Sequence, residues 1–330
     1  MRHVSSRPPH LPPVARLYAM LARSSMDASR PGRSRYHRHM DQLSTFIALL
    51  ERHTGADGSH ESALPGVTLI RASAPTLPMP VIYEPTLCLV GQGIKQASVG
   101  TTAYRYDPEH YLIASVELPV MGSVVAASAE APYLCLQLDL DMQTLSELAL
   151  LHPTPVGRAP ATGLALNRTS DELLGAAIRL LRLLDTPGDI DALAPLTQRE
   201  MLYRLLQGPS GSLLRHMARA DSRLNQIARA IVWIKTHFRE ACRIEQAAER
   251  AGMGRSSFHQ HFKAITTMSP LEYRTRLRLQ EARRLMVSDA LDAANAGFSV
   301  GYESPSQFSR DYARVFGLPP AKDAARLRAG

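Results

Sequence analysis

The sequence predicts an α+β fold: a small N-terminal β-barrel with trailing helices, then an all-α segment with two helix-turn-helix units joined by a long helix. Three observations predict it. Between Val67 and Leu140, short alternating or β-branched runs are separated by Gly, Pro and Asp, the mark of closely spaced strands. Beyond Met142 the apolar residues recur at helical spacing instead. The charge is also divided along the chain. Residues 1–40 carry eight Arg and one acid, residues 41–220 carry twelve Lys and Arg against eighteen Asp and Glu, and residues 221–330 carry eighteen against eleven. The net of +8 therefore conceals an acidic middle and a basic C-terminal third suited to a polyanion. A chain of 330 residues exceeds what one hydrophobic core ordinarily fills, so two domains are expected, over 40–212 and 221–330.

Taken in order, Met1–His39 is rich in Arg, Pro and Ser and lacks the apolar run of about 7–15 residues that a secretory signal needs. It reads as a disordered basic tail or an over-extended start ahead of Met40. Its composition also resembles an organelle transit peptide, and Arg35-Tyr-His-Arg-His39 offers groups for DNA. From Gln42 to His53, Leu43, Phe46, Ile47 and Leu50 predict a short amphipathic helix. Strands are expected over Val67–Arg71, Thr86–Gln92, Lys95–Val99, Thr102–Tyr106, Tyr111–Ala114, Leu118–Val125 and Tyr133–Leu140. Gly91-Gln92-Gly93 reads as a hairpin turn. Leu134, Leu136, Leu138 and Leu140 alternate with Cys135, Gln137 and Asp139, which predicts one buried and one less apolar face. Helices are expected over Met142–Leu151, Asp171–Leu184 and Leu193–Leu206. The stripe Leu173, Leu174, Ala177, Leu180, Leu181 and Leu184 suits packing on the barrel or on a second subunit. Gly208-Pro-Ser-Gly-Ser212 is a composition break, and the domain boundary is expected between it and Asp221.

The last hundred residues repeat one design twice. Leu224–Phe238 carries Ile227, Ile231, Ile234 and Phe238 on one face, as a supporting helix does. Ile244–Ala251 is a shorter helix, Ala251-Gly252-Met253-Gly254 a turn, and Arg255–Ile265 a helix with Phe258, Phe262 and Ile265 inward. Ser256, His259, Gln260 and Lys263 are left outward, the layout of a helix read into a major groove. Ser269-Pro-Leu-Glu272 is a capping box that opens a helix to about Val287. About eighteen residues at about 1.5 Å each give a spacer of about 27 Å between the two units. Asp292–Val300 is again a short helix, Gly301-Tyr302-Glu303 the turn, and Ser304-Pro-Ser-Gln307 the cap of a helix to Phe316. Phe308, Tyr312, Val315 and Phe316 point inward, leaving Ser306, Ser309, Arg310 and Arg314 for DNA. Gln307 reads as the cap partner rather than a base reader. Lys263 and Arg314 read as phosphate contacts, and His259 has a plain solvated alternative.

Residues Leu224 to Pro320 resemble the AraC/XylS family of regulators, above all Val300-Gly-Tyr-Glu-Ser-Pro-Ser-Gln-Phe-Ser-Arg310 and Phe316-Gly-Leu-Pro-Pro320. The resemblance implies that both recognition helices read DNA, through Ser256, His259, Gln260 and Lys263 and through Ser306, Ser309 and Arg310. Two positions depart from the pattern: Gly254 replaces a common capping serine, and Gly297 interrupts the short helix, at about 1 kcal/mol relative to alanine. Tyr83-Glu-Pro-Thr-Leu-Cys-Leu-Val-Gly-Gln-Gly93, Tyr133 and Leu138-Asp139 resemble the cupin-like N-terminal domain of one branch of that family. That likeness implies a barrel that binds a small-molecule effector or holds a homodimer together.

The rival readings are a non-sensing DNA-binding dimer and a cupin enzyme fused to a DNA anchor. A metal-dependent cupin needs a His-x-His pair, a carboxylate and a further His, and only His110 is found in the barrel region, so no metal, cofactor or catalytic step is expected. Cys88, near Lys95 across the turn, is a candidate sensor thiol whose alternative is an inert buried one. Cys135 and Cys242 form no Cys-x-x-Cys pair, which fits a reducing cytoplasm. No run of about 18 apolar residues suggests a membrane span. Double-stranded DNA is the expected partner, with RNA polymerase an open one. Neither the effector nor the direction of regulation is legible.

Overall fold

The computed structural model of the protein describes residues 31–100, 102–154, 162–240 and 244–329. Helix α1 (Pro31–His53) leads into ten strands: β1 (Gly58–Glu61), β2 (Val67–Ala72), β3 (Met79–Tyr83), β4 (Thr86–Gln92), β5 (Ile94–Val99), β6 (Thr102–Tyr106), β7 (His110–Ala114), β8 (Leu118–Ala126), β9 (Tyr133–Asp139) and, beyond helix α2 (Met142–Leu151), β10 (Leu164–Arg168). They form two antiparallel sheets, β1-β2-β9-β4-β7-β10 and β3-β8-β5-β6.

The first helix starts earlier than its apolar pattern suggested. Residues 31–39, assigned to the tail on composition, are helical, and His39 Nδ1 lies 2.7 Å from Asp171 Oδ1 on a later helix. That hydrogen bond anchors a segment whose polar composition reads as solvated. The rest of the tail, and Cys242, lie outside the described residues.

Residues Tyr133 to Leu136 of β9 are buried on both faces. Leu136 and Leu138 pair with Leu89 and Leu87 of β4. On that face Gly91 meets α1 so closely that a Cβ would stand 2.8 Å from Leu50 Cδ1, and Tyr111 of β7, opposite Leu89, bonds Ser210 in the helical layer at 2.9 Å. The leucines therefore face helices. Tyr133 and Cys135 face the other way, into the space between the sheets, and both are buried. The second face is the less apolar one that the alternation predicts, with Gln137 half-buried and Asp139 exposed beyond them.

The trailing helices are α3 (Asp171–Arg182), α4 (Ile190–Gln207) and α5 (Gly211–Ala218). The apolar stripe of α3, Leu173 through Leu181, is buried within the subunit, where α3 packs against helices α1 and α4. Helix α5 stands where composition suggested a linker. Gly211 begins it because a Cβ there would lie 2.2 Å from the Leu206 carbonyl oxygen, and Leu213, Leu214 and Met217 are buried. Buried Arg215 donates to the carbonyls of Leu206 (2.7 Å) and His152 (3.2 Å).

The C-terminal helices are α6 (Arg223–His237), α7 (Ile244–Ala251), α8 (Arg255–Thr266), α9 (Pro270–Ser288), α10 (Ala293–Ser299), α11 (Pro305–Phe316) and α12 (Pro320–Ala329). Their cores are unequal. One continuous apolar cluster runs from Phe46 through the barrel and the first helix-turn-helix to Leu277. A separate small cluster, Leu279 to Ala324, holds the second.

Candidate nucleic-acid interface and barrel interior

Each recognition helix is positioned by an aromatic core. In the first unit Phe258 and Phe262 are fully buried, with ring centroids 5.4 Å apart, and Tyr273 of α9 stacks edge-on against Phe262 at 5.5 Å. In the second, Tyr302, Phe308, Tyr312 and Phe316 form a chain of edge contacts at 5.3, 5.5 and 4.5 Å. With these faces inward, Ser256, Gln260 and Lys263 of α8 are exposed and His259 is half-buried; on α11, Ser306, Arg310 and Arg314 are exposed and Ser309 half-buried.

The outward groups differ in how free they are. Arg310 and Lys263 have no acidic partner among the described residues. Arg314 is held by Asp311 at 2.8 Å, and Asp311 accepts from Tyr302 Oη at 3.4 Å, so this guanidinium is tethered along its own helix. Arg255 pairs with Glu245 at 3.4 Å.

Both predicted N-cap serines hold the first turn of their helix. Ser269 accepts from Glu272 N at 3.2 Å and Ser304 from Gln307 N at 3.4 Å. Among the described residues no bond returns from the Gln307 side chain to Ser304 N, nor from Glu272 to Ser269 N; the Gln307 side chain is exposed. Gly254 caps α8 without a side-chain bond. Gly297 is not a defect: a Cβ would meet the Phe308 ring at 2.9 Å, so α10 rests directly on the recognition helix.

Two buried guanidinium networks escaped sequence reasoning. Arg278, on the linker helix α9, donates from Nε to Phe238 O at 2.6 Å, from Nη1 to Gly301 O at 2.8 Å and from Nη2 to Glu240 O at 2.9 Å and Arg239 O at 3.3 Å. One side chain thus binds the end of α6 in the first unit and the turn of the second. Gly301 has φ +88° and a Cβ there would lie 2.0 Å from Arg239 O, so this junction excludes any side chain. Beside it runs a groove of about 430 Å³ lined by Arg274, Arg278, Glu303, Gln307 and Arg314. In the second unit Arg283 meets buried Asp323 through two bonds of 2.7 and 3.1 Å, and Tyr312 Oη and Arg326 add bonds of 2.9 Å each. These four residues tie α9, α11 and α12 together.

The barrel touches the first unit directly. Lys235 of α6 reaches Glu117 at 2.7 Å and Glu84 at 3.3 Å. Burial works against its charge, but the two carboxylates prevail and hold its pKa above the ordinary lysine value. Tyr273 Oη donates to Glu117 O at 2.9 Å, and Gly163 N to Ile265 O, near the end of α8, at 2.7 Å.

Inside the barrel Cys88 is buried beside Cys135, diagonally placed on neighbouring strands. Donation to Cys135, then burial, push the Cys88 thiol well above its ordinary value, while that same bond lowers Cys135. Burial at this position disfavours the Cys88 thiolate. Lys95 stands nearby with Tyr83, Tyr106 and Tyr133. His110 bonds Asp107 at 2.8 Å in its own hairpin, and a second barrel histidine, His60, bonds Ala56 O at 2.7 Å. Among the described residues no three His, Cys, Asp or Glu side chains gather as a metal site.

Comparison with known proteins adds to this geometry. Residues 63–213 match the family described as AraC-type transcriptional regulator N-terminus, and residues 247–326 match a helix-turn-helix domain family. The HTH-type transcriptional activator RhaS of Escherichia fergusonii is 32% identical over 130 residues, 39% of this chain and 46% of that protein. The RhaS of Citrobacter koseri is 26% identical over 155 residues, 46% of this chain and 55% of that protein. The chain thus spans about half the length of the curated relatives it matches. A crystal structure of apo ToxT from Vibrio cholerae shares the fold, with a TM-score of 0.52 at 10% identity over 82% of this chain and all of that one. The two matched segments, in this order and on this fold, mean that the chain belongs to the AraC-type family of transcriptional regulators.

Proposed function

We propose that the protein binds double-stranded DNA sequence-specifically through the outward faces of α8 and α11 and regulates transcription in response to a small molecule taken up by the N-terminal barrel. The observation that carries this reading is the pair of outward polar helix faces, Ser256, His259, Gln260 and Lys263 on one and Ser306, Ser309, Arg310 and Arg314 on the other, in two units clamped together by Arg278. Helix α9 has 19 residues, about 28 Å at 1.5 Å each, near the about 34 Å between successive major-groove faces. Arg310, unpaired and exposed, is the base-reading candidate; Lys263 and tethered Arg314 suit phosphates.

Residues 40–212 form the sensing and dimerising half and 221–330 the DNA-binding half. A homodimer is supported by exposed leucines, Leu150 and Leu151 on α2 with Leu193 and Leu196 on α4, two helices that pack together. Activation through contact with RNA polymerase follows the description of the matched relatives as activators. The cytoplasm is the compartment such a regulator needs, and among the described residues no helix is long and apolar enough to cross a membrane. We assign the protein no catalytic step.

The test is binding of Arg310→Ala to DNA selected from a random pool. A base reader loses about 10–100-fold on the selected site, from about 1–3 kcal/mol of discrimination, with little change on random DNA. Equal loss on both would demote Arg310 to a phosphate contact, and unchanged binding would remove α11 from the interface.

A further inference from the structure

The linker helix α9 turns one face toward the second unit. Arg274 and Arg278 stand one helical turn apart on it, with Thr275 beside them. Gln307, Asp311 and Arg314, at i, i+4 and i+7 on α11, face them across the groove of about 430 Å³. Arg278 binds the Gly301 carbonyl at 2.8 Å just before α11, so the distance between the two walls is set before any ligand arrives.

The charges along the groove do not cancel. Among the described residues three guanidinium groups, Arg274, Arg278 and Arg314, line it against two carboxylates, Glu303 and Asp311. Asp311 meets Arg314 at 2.8 Å and accepts from the Tyr302 hydroxyl at 3.4 Å, while Glu303 is exposed on the turn. The Thr275 hydroxyl and the Gln307 amide add neutral donors. A surplus of one positive charge with such donors suits the single negative charge and two free oxygens of a phosphodiester. The groove also borders the reading face. Gln307 lies three positions before Arg310 and Arg314 four after it, so both stand beside it on α11. With Arg310 at the base edges of a major groove, this flank faces the backbone that bounds that groove on the side of the first unit.

We propose that this groove grips one phosphodiester of the DNA backbone between the two major-groove contacts, its oxygens accepting from Arg274, the Thr275 hydroxyl and Arg314. Arg278, committed to backbone carbonyls, supplies charge beneath it, and Asp311 is a positioning residue that keeps Arg314 along the wall. This rests on the DNA-binding reading and makes the linker helix a contact surface in its own right rather than a spacer alone.

The experiment is binding of the full chain to a site selected from a random pool, read first by phosphate ethylation interference. Ethylation of one phosphate between the two half-contacts should block binding, and a neutral methylphosphonate at that position should weaken the wild type about tenfold. Arg274→Gln should weaken selected and random DNA alike, about tenfold, and flatten the dependence of log K on log salt by about 0.9; Thr275→Val should weaken both several-fold. The methylphosphonate should cost Arg274→Gln little more, because the contact is already gone. That arm also uses the unaltered chain, so it holds whatever the substitution does to folding. Inorganic phosphate titrated without DNA should give no saturable binding. The proposal is overturned if no phosphate between the half-contacts is sensitive, if Arg274→Gln keeps the wild-type salt dependence, if the methylphosphonate costs the variant as much as the wild type, or if inorganic phosphate saturates a site that Arg274→Gln removes. Failure to select any site overturns the DNA-binding reading itself, a result distinct from a selected site whose intervening phosphates are all silent.

Discussion

Replacing Arg278 by Met keeps most of the aliphatic stem and removes the fork that holds four backbone carbonyls. A net hydrogen bond to a charged group contributes about 1.5–3 kcal/mol, and three of the four bonds are shorter than 3.0 Å. Simple addition overstates the loss, because the adjoining groove admits water to the released carbonyls. The expected destabilisation is about 3–4 kcal/mol, concentrated at the junction of the two helix-turn-helix units. Urea unfolding of the full chain measures it. DNA binding supplies a second measure: on selected sites with one or two base pairs inserted between the half-contacts, wild type should lose affinity steeply and Arg278→Met much less. A variant within about 1 kcal/mol of wild type that keeps the same spacing preference would refute the clamp. Arg278→Lys should behave like Met, since one ammonium cannot replace a planar fork serving four carbonyls on two segments.

Three further outcomes are expected. Gly254→Ser should stabilise the protein by about 0.5–1 kcal/mol in urea unfolding, because φ −66° suits serine, no atom lies within 4 Å of the added Cβ, and α8 gains a side-chain cap. Asp323→Ala should cost about 3–5 kcal/mol and loosen α11, since buried Arg283 loses its partner; near wild-type stability would show that the network contributes little. Lys235→Ala should cost about 1 kcal/mol or less, as its partners are partly solvated, and thermal unfolding would expose a larger role if the loss is greater.

Much of this architecture was legible because it is written in apolar spacing. Seven strands and both helix-turn-helix units lie where the pattern places them, and the outward residues of α8 and α11 are outward. Three strands were not legible, each for a local reason: Gly58–Glu61 has no apolar alternation, Met79–Tyr83 contains a proline tolerated because β3 is an edge strand, and Leu164–Arg168 is short and mostly polar outside its leucines. Helix α5 was concealed by glycines that read as a linker but serve close packing. The buried charges were the harder loss. Arg278 is satisfied by carbonyls 23 to 40 residues away and Arg283 by a carboxylate 40 residues away, and no periodicity within a single helix reveals such partners.

The division of the core has a consequence for how the chain can be cut. The first helix-turn-helix shares its apolar cluster with the barrel, and the barrel amide of Gly163 satisfies a carbonyl near the end of its recognition helix, whereas the second closes its own cluster through Asp323. A fragment starting at residue 221 would carry one self-sufficient reading unit and one with an uncovered flank. The two units, alike in outline, are therefore unequal: the distal one closes an apolar cluster of its own, and the proximal one is partly an organ of the barrel.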